Sequence, residues 1–185
     1  MRVIGGTAKG RRLEAPKGKH VRPTLERVRE ALFDILSSEV SGSRFLDLFA
    51  GTGANGIEAL SRGARQAVFV DSDDSVVAVL HRNLEHTGFA DRARCLRLTL
   101  PAGLRGFGRR HGVFDIVFAD PPRAFAETEA VLDGIRRQGA LTSNGMVVVE
   151  HGSRAAIDNV EGWRCARQVI YGDNALSFFR MLQDD

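Results

Sequence analysis

Residues 46–64 read LDLFAGTGANGIEALSRGA. An apolar run ends in Leu48 and Phe49, and Gly51, Gly53 and Gly56 then follow in G-x-G-x-x-G register. Ile57 and Leu60 come next at helical spacing. The stretch therefore predicts a strand, a tight glycine turn and a helix, the opening of a βαβ unit. Asp71, about twenty residues beyond Gly51, matches the acid that accompanies dinucleotide-binding turns. Taken alone, the pattern suggests NAD.

The alternation continues outward from this turn. "AVFV", "ARCLRL", "DIVFA" and "MVVVEH" read as further strands. Helices are predicted through Val76, Leu80 and Leu84, and through Val131, Leu132 and Ile135. Strands alternating with helices imply an α/β fold with a mostly parallel sheet. The tail departs from this pattern: "WRCARQVIY", the turn "GDN" and "ALSFFRML" predict an antiparallel hairpin at one edge. Ligands in such folds bind beyond the carboxyl ends of the strands.

Upstream, "RVIGG" and "GRRLEAP" flank "GGTAKG" and predict an N-terminal β-hairpin with largely basic faces. Thr24 can cap a helix whose apolar stripe is Val28, Ala31, Leu32, Ile35 and Leu36. Residues 1–23 are accordingly expected to form a basic extension, and residues 24–185 one α/β domain. The net charge of +3 conceals an asymmetry. Residues 1–30 hold nine bases against three acids, and the rest holds 17 bases against 20 acids. Such a lobe suits a polyanionic partner, because neutralising phosphates releases counterions.

At 185 residues and 43% hydrophobic, the chain suits a single domain with its own core. No apolar run approaches the roughly 20 residues of a membrane span, and the N-terminus lacks a signal-peptide core, which predicts a soluble, cytoplasmic protein. Cys95 and Cys165 read as buried reduced thiols, and no His, Cys or carboxylate cluster has metal-ligand spacing.

Three strand ends carry the chemistry. Asp47 lies inside the first strand, beside the glycine turn. S-adenosylmethionine, with an ammonium and a carboxylate at its methionine end, needs an acid together with backbone donors. Asp71 ends the second strand and can accept ribose hydroxyls, a task that NAD and S-adenosylmethionine share. Asp73 and Asp74 belong to the start of the following helix, where its dipole favours negative charge. After the fourth strand comes Asp120-Pro121-Pro122. Two prolines fix φ and remove donors, leaving a stiff loop of acceptors suited to the hydrogens of an exocyclic base amine.

Together, "LDLFAGTGANGIEALSRGA", "FVDSD" and "ADPP", with "RPT" and "RVREALFDIL" before them and "IYGDN" near the end, resemble the RsmD family of ribosomal RNA guanine-N2 methyltransferases. The likeness runs nearly end to end. It implies a Rossmann-like class I methyltransferase fold and S-adenosylmethionine as cofactor, leaving as S-adenosylhomocysteine. Asp47, Gly51, Gly53 and Asp71 would hold that cofactor, with Thr99 a candidate at the adenine. Asp120, Pro121 and Pro122 would hold the target amine, chiefly through the Asp120 carboxylate and the Pro121 carbonyl. Lys9, Arg11, Arg12, Lys17, Lys19 and Arg22 would face small-subunit ribosomal RNA, free or in an assembling subunit, and the protein would act as a monomer. One position departs from the pattern: an aromatic usually follows the double proline, and here stands Arg123. Its guanidinium can stack on a base or meet a phosphate, and Phe125 two residues on can also stack.

The residues leave other chemistries open. The Asp-Pro-Pro loop would suit an adenine-N6 or protein-amide methyltransferase. An NAD-dependent oxidoreductase fits the glycine turn but leaves that loop and the basic hairpin without a task. A non-catalytic RNA-binding module is the third alternative.

Overall fold

A computed structural model describes residues 1–15, 23–155, 157 and 160–182. The described chain forms two compact units, residues 1–98 and residues 99–185.

The first unit contains α1 (Pro23–Ile35), α2 (Ser37–Val40), β1 (Arg44–Leu48), α3 (Ala54–Ser61), β2 (Gln66–Asp71), α4 (Asp74–Thr87) and β3 (Ala93–Arg97). β2 lies between β1 and β3 and pairs with both in parallel. Phe45, Leu46, Leu48, Val68, Phe69 and Val70 are each at most 1% exposed, as strands covered on both faces require. α4 is capped by Asp73, whose carboxylate accepts the Ser75 N–H at 2.8 Å. This is the structural role expected of that acid.

α1 buries Val28, Leu32 and Phe33, with Leu36 buried just past its end, while Ala31 and Ile35 are only half-buried. The stripe is therefore rotated toward Phe33, which stacks on Phe45 with ring centroids 6.1 Å apart. The N-terminal hairpin is reduced to one antiparallel bridge, Arg2 to Arg12. Val3, Ala8 and Leu13 are buried beneath it, while Arg2, Lys9, Arg11 and Arg12 stay exposed. Longer pairing gives way to α3: Ile4 and Gly5 donate to the Glu58 carboxylate at 2.8 and 2.7 Å, and Thr7 to the Ser61 carbonyl at 2.8 Å.

The second unit contains α5 (Phe107–His111), β4 (Phe114–Ala119), α6 (Thr128–Arg137), β5 (Leu141–Gly152), β6 (Trp163–Tyr171) and β7 (Asn174–Met181). β4 and β5 are parallel. β7 pairs antiparallel with β5 on one side and β6 on the other, so the predicted tail hairpin is present. No described helix is long and apolar enough to cross a membrane. The two cysteines are half-buried, not buried, and neither is in a disulfide.

Candidate active site

In the first unit, the chain leaves β1 through Phe49, whose φ of 59° is the one positive value at a described non-glycine residue. Such a conformation costs about 1–3 kcal/mol and persists only where its surroundings impose it. The surroundings here are two carboxylates. Asp47 is 1% exposed, and its Oδ2 accepts the Gly56 N–H at 2.8 Å. Asp71 accepts the Gly51 N–H at 2.9 Å through Oδ2 and the Asp73 N–H at 3.1 Å through Oδ1. The Gly53 N–H goes to the Ala50 carbonyl at 2.8 Å. All three pattern glycines thus spend their N–H groups on the Asp47 and Asp71 carboxylates and the Ala50 carbonyl, so those three donors serve neither a pyrophosphate nor the methionine carboxylate expected from the sequence.

The three glycines have separate reasons to be glycine. A Cβ on Gly56 would lie 2.2 Å from the Phe69 ring, so close packing of α3 on β2 excludes one. Gly53 has φ 77°, and a Cβ there would lie 2.2 Å from Leu80 Cδ1. Gly51 has φ 55° and faces open space, its hypothetical Cβ meeting only the Phe49 carbonyl oxygen at 3.9 Å. An open cradle beside a half-buried Asp71 fits the ribose and methionine portions of an adenosyl cofactor.

Asn83 and Glu58 are buried polar residues of the first unit that no sequence motif marks. Asn83, 1% exposed on α4, donates to the Thr52 carbonyl at 2.9 Å and exchanges hydrogen bonds with the Glu14 backbone. It ties the glycine loop to the N-terminal segment. Glu58, fully buried on α3, holds Arg62 Nε at 2.8 Å and faces Arg29 Nε at 3.8 Å. Burial pulls the Arg29 pKa down, with Glu58 and Glu26 opposing. Arg29 is therefore a structural cation. On an amphipathic helix such residues look like solvated positions, and only contacts far along the chain bury them.

Of the expected RNA-binding residues in this unit, Lys9, Arg11 and Arg12 are exposed, with Arg11 donating to the His86 carbonyl. Lys17, Lys19 and Arg22 lie outside the described residues.

In the second unit, Asp120 and Pro122 are exposed and Pro121 is half-buried, directly after β4. The Phe125 N–H closes the turn on the Pro122 carbonyl at 2.7 Å, leaving the Phe125 ring half-buried. Arg123 has a partner within the chain: its Nη2 donates to Asn174 Oδ1 at 2.6 Å. Asn174 Nδ2 in turn donates to Glu150 Oε1 at 3.1 Å, and Glu150 is 9% exposed. The guanidinium also lies over Gly152, where a Cβ would be 3.0 Å from Nη1. The Asp-Pro-Pro turn is thereby tethered to the β5 end and to the start of β7. The "IYGDN" signal supplies the Asn174 end of this tether. His151 bonds Ser177 Oγ and the Gly152 carbonyl at 2.8 and 2.9 Å, so it completes the β5–β7 packing. Thr99 is exposed, and its carbonyl accepts the Gly103 N–H at 2.8 Å. Among the described residues no cluster of three or more His, Cys, Asp or Glu side chains could hold a metal ion.

Parallel ladders in both units, an antiparallel C-terminal pair and a carboxylate-braced glycine turn define a Rossmann-like fold. A Thermus thermophilus protein of solved structure superposes with TM-score 0.83 at 31% identity, over 98% of this chain and 99% of that one. A methyltransferase solved with S-adenosylhomocysteine shares the fold at TM-score 0.66 and 15% identity, over 87% of this chain and 50% of that one. The fold is that of the class I S-adenosylmethionine-dependent methyltransferases. The family model described as Conserved hypothetical protein 95 matches residues 1–180, and the chain belongs to this family, the RsmD family. The ribosomal RNA small subunit methyltransferase D of Escherichia coli (strain K12) is 34% identical over 181 residues, 97% of this chain and 89% of that protein. The Haemophilus influenzae protein of the same description is 31% identical, over 93% of this chain and 89% of its own length.

Proposed function

We propose that the protein methylates small-subunit ribosomal RNA, moving the methyl group of S-adenosylmethionine to the exocyclic N2 of a guanine. The observation that carries this reading is an exposed carboxylate, Asp120, on a proline-stiffened turn directly after β4. Likeness to the E. coli ribosomal RNA small subunit methyltransferase D over nearly the whole chain supports the substrate class.

S-adenosylmethionine, when bound, supplies a methyl group on a sulfonium that is already an activated leaving group. The chain's task is therefore alignment, and effective molarities of about 10⁵–10⁸ M indicate how much alignment can contribute. Asp71 accepts the ribose hydroxyls through lone pairs left over from Gly51 and Asp73. Gly51 lets the backbone come close, Gly53 and Asp47 hold the loop that does so, and Asp47 places negative charge near the cofactor's ammonium. Thr99 offers a hydroxyl to the adenine. Asp120 and the Pro121 carbonyl accept hydrogen bonds from the two hydrogens of the guanine amine, whose lone pair is otherwise delocalised into the ring, and one of those protons leaves as the S–CH3 bond breaks and the N–CH3 bond forms. Pro122 stiffens the turn, and Phe125 stacks on the base once it has left its helix. Lys9, Arg11 and Arg12, with Lys17, Lys19 and Arg22, take RNA phosphates. The molecule works as a monomer and without a metal.

The test is methyl transfer from labelled S-adenosylmethionine to small-subunit ribosomal RNA and to small-subunit particles, followed by nucleoside identification. N2-methylguanosine is the expected product. N6-methyladenosine or a methylated protein amide would reassign the target. Tight NAD binding with no S-adenosylmethionine binding would end the methyltransferase reading.

A further inference from the structure

Between Asp91 and Asp115 the sequence carries six arginines and no acid. Three of them, Arg105, Arg109 and Arg110, fall on or beside α5, and all three are exposed. The inner side of this short helix is fixed. Phe107 is fully buried, and Gly108 sits so close to the end of α6 that a Cβ there would lie 2.3 Å from the Gln138 and Gly139 carbonyl oxygens. The Gly106 N–H donates to Gln138 Oε1 at 2.7 Å. The arginines therefore stand on the outer side of a rigid element.

Arg110 has a local task, donating to the Arg105 carbonyl at 2.6 Å and to the Gly103 and Gly106 carbonyls at 3.4 Å each. Arg105 and Arg109 have no carboxylate within ion-pair distance among the described residues. Both guanidinium groups pass over Gly106, where a Cβ would be 3.5 Å from Arg109 Nη2 and 3.9 Å from Arg110 Nε. Like charges gathered over one surface are favoured by an anion that neutralises them. On α6, by contrast, Arg136 and Arg137 share Asp133 at 3.3 and 2.7 Å. A merely solvated face intersperses signs in that way, and the α5 face does not.

We propose that Arg105, Arg109 and Arg110 form a docking surface for the phosphate backbone of the RNA substrate, separate in sequence from the basic N-terminal segment. This inference rests on RNA being the substrate. Guanidinium forks grip phosphate oxygens without reading bases, so the surface supplies affinity and register and no sequence choice.

The test uses the full chain with Arg105→Gln and Arg109→Gln together, leaving Arg110 to its carbonyls. Affinity for small-subunit ribosomal RNA is measured against salt, beside steady-state methylation and thermal midpoint. The slope of log affinity on log salt should flatten by about 0.7–0.9 for each arginine removed. KM for RNA should rise while kcat and the midpoint hold, and Arg105→Lys with Arg109→Lys should recover most of the slope because charge is kept. A wild-type slope and KM in the Gln pair would overturn the proposal. So would equal flattening by Arg164→Gln with Arg167→Gln, both exposed on β6 of the same unit, since that would be a general charge effect. Failure of the substrate reading appears separately, as absence of RNA methylation by the unsubstituted protein, and takes this surface with it.

Discussion

Asp47 and Asp120 both stand at the carboxyl ends of parallel strands, yet their surroundings are opposite. Asp47 is buried within β1 and spends Oδ2 on the Gly56 N–H. Asp120 lies just past β4, exposed on a turn closed by the Phe125 N–H. A buried carboxylate bonded to backbone shapes a loop, whereas an exposed one on a stiff turn can meet a ligand. The two loops are also braced differently. The glycine loop is held by carboxylates and close packing inside the first unit. The Asp-Pro-Pro turn is held by its prolines and by the Arg123–Asn174–Glu150 chain inside the second. Damage to the first loop should appear in stability, and damage to the second in turnover.

The largest expected effect breaks the first loop. Gly53→Ala places a side chain at φ 77° and against Leu80, itself 1% exposed. A left-handed residue costs about 1–2 kcal/mol and overpacking about 1–3 kcal/mol, so a loss of roughly 2 kcal/mol or more is expected in urea denaturation. Gly56→Ala should lose less, because it meets the Phe69 clash on a helical backbone and without the left-handed penalty. Wild-type stability in Gly53→Ala would mean that the loop is softer than its packing implies.

Asp120→Ala should give the complementary result. Losing a charge-assisted hydrogen bond of about 1.5–3 kcal/mol at the amine lowers kcat/KM by roughly 10- to 150-fold. Cofactor affinity by calorimetry should hold, and stability should fall less than in Gly53→Ala. Near-normal turnover would remove Asp120 from the amine, and collapse of cofactor affinity would assign it to the cofactor instead.

The legibility of the two loops follows the same division. β2, β4 and β5 are legible as β-branched or aromatic runs and β3 only through Cys95 and Leu96 between arginines, while the glycine turn and Asp-Pro-Pro are legible because local backbone demands dictate their residue types. α5 was not visible. "FGRRH" has no apolar periodicity, and the helix is fixed by Gly108 against the end of α6. The sequence suggests a longer opening hairpin than forms, because Glu58 and Ser61 compete for its amides from more than fifty positions away. Glu58 and Asn83 looked like surface residues for the same reason. Arg123 raised a question that only Asn174, far along the chain, could answer.

Arg123→Ala and Asn174→Ala sharpen the contrast at smaller scale. Each removes a tether of about 0.5–1.5 kcal/mol from the turn, so turnover should fall roughly 2- to 10-fold with little change in urea midpoint. Because the residues act in one chain, the double variant should lose less than the sum of the singles. Strict additivity would indicate that Arg123 works on the RNA independently of Asn174.

The smallest effect is a rate of labelling, and it separates the two units without altering either loop. Cys95 lies on β3 in the first unit and Cys165 on β6 in the second, both half-buried. Burial pushes the Cys95 thiol up from 9.0 to about 11, because desolvation disfavours the thiolate. At pH 8 its reactive fraction should fall by about 100-fold, and labelling should accelerate only as pH climbs toward 11. In the native protein a disulfide reagent should therefore modify Cys165 and spare Cys95. Gly53→Ala should raise Cys95 labelling by opening the first unit more often, whereas Arg123→Ala should leave it at the native rate. Equal Cys95 rates in the two variants would show that bracing of the glycine loop is not what keeps β3 closed.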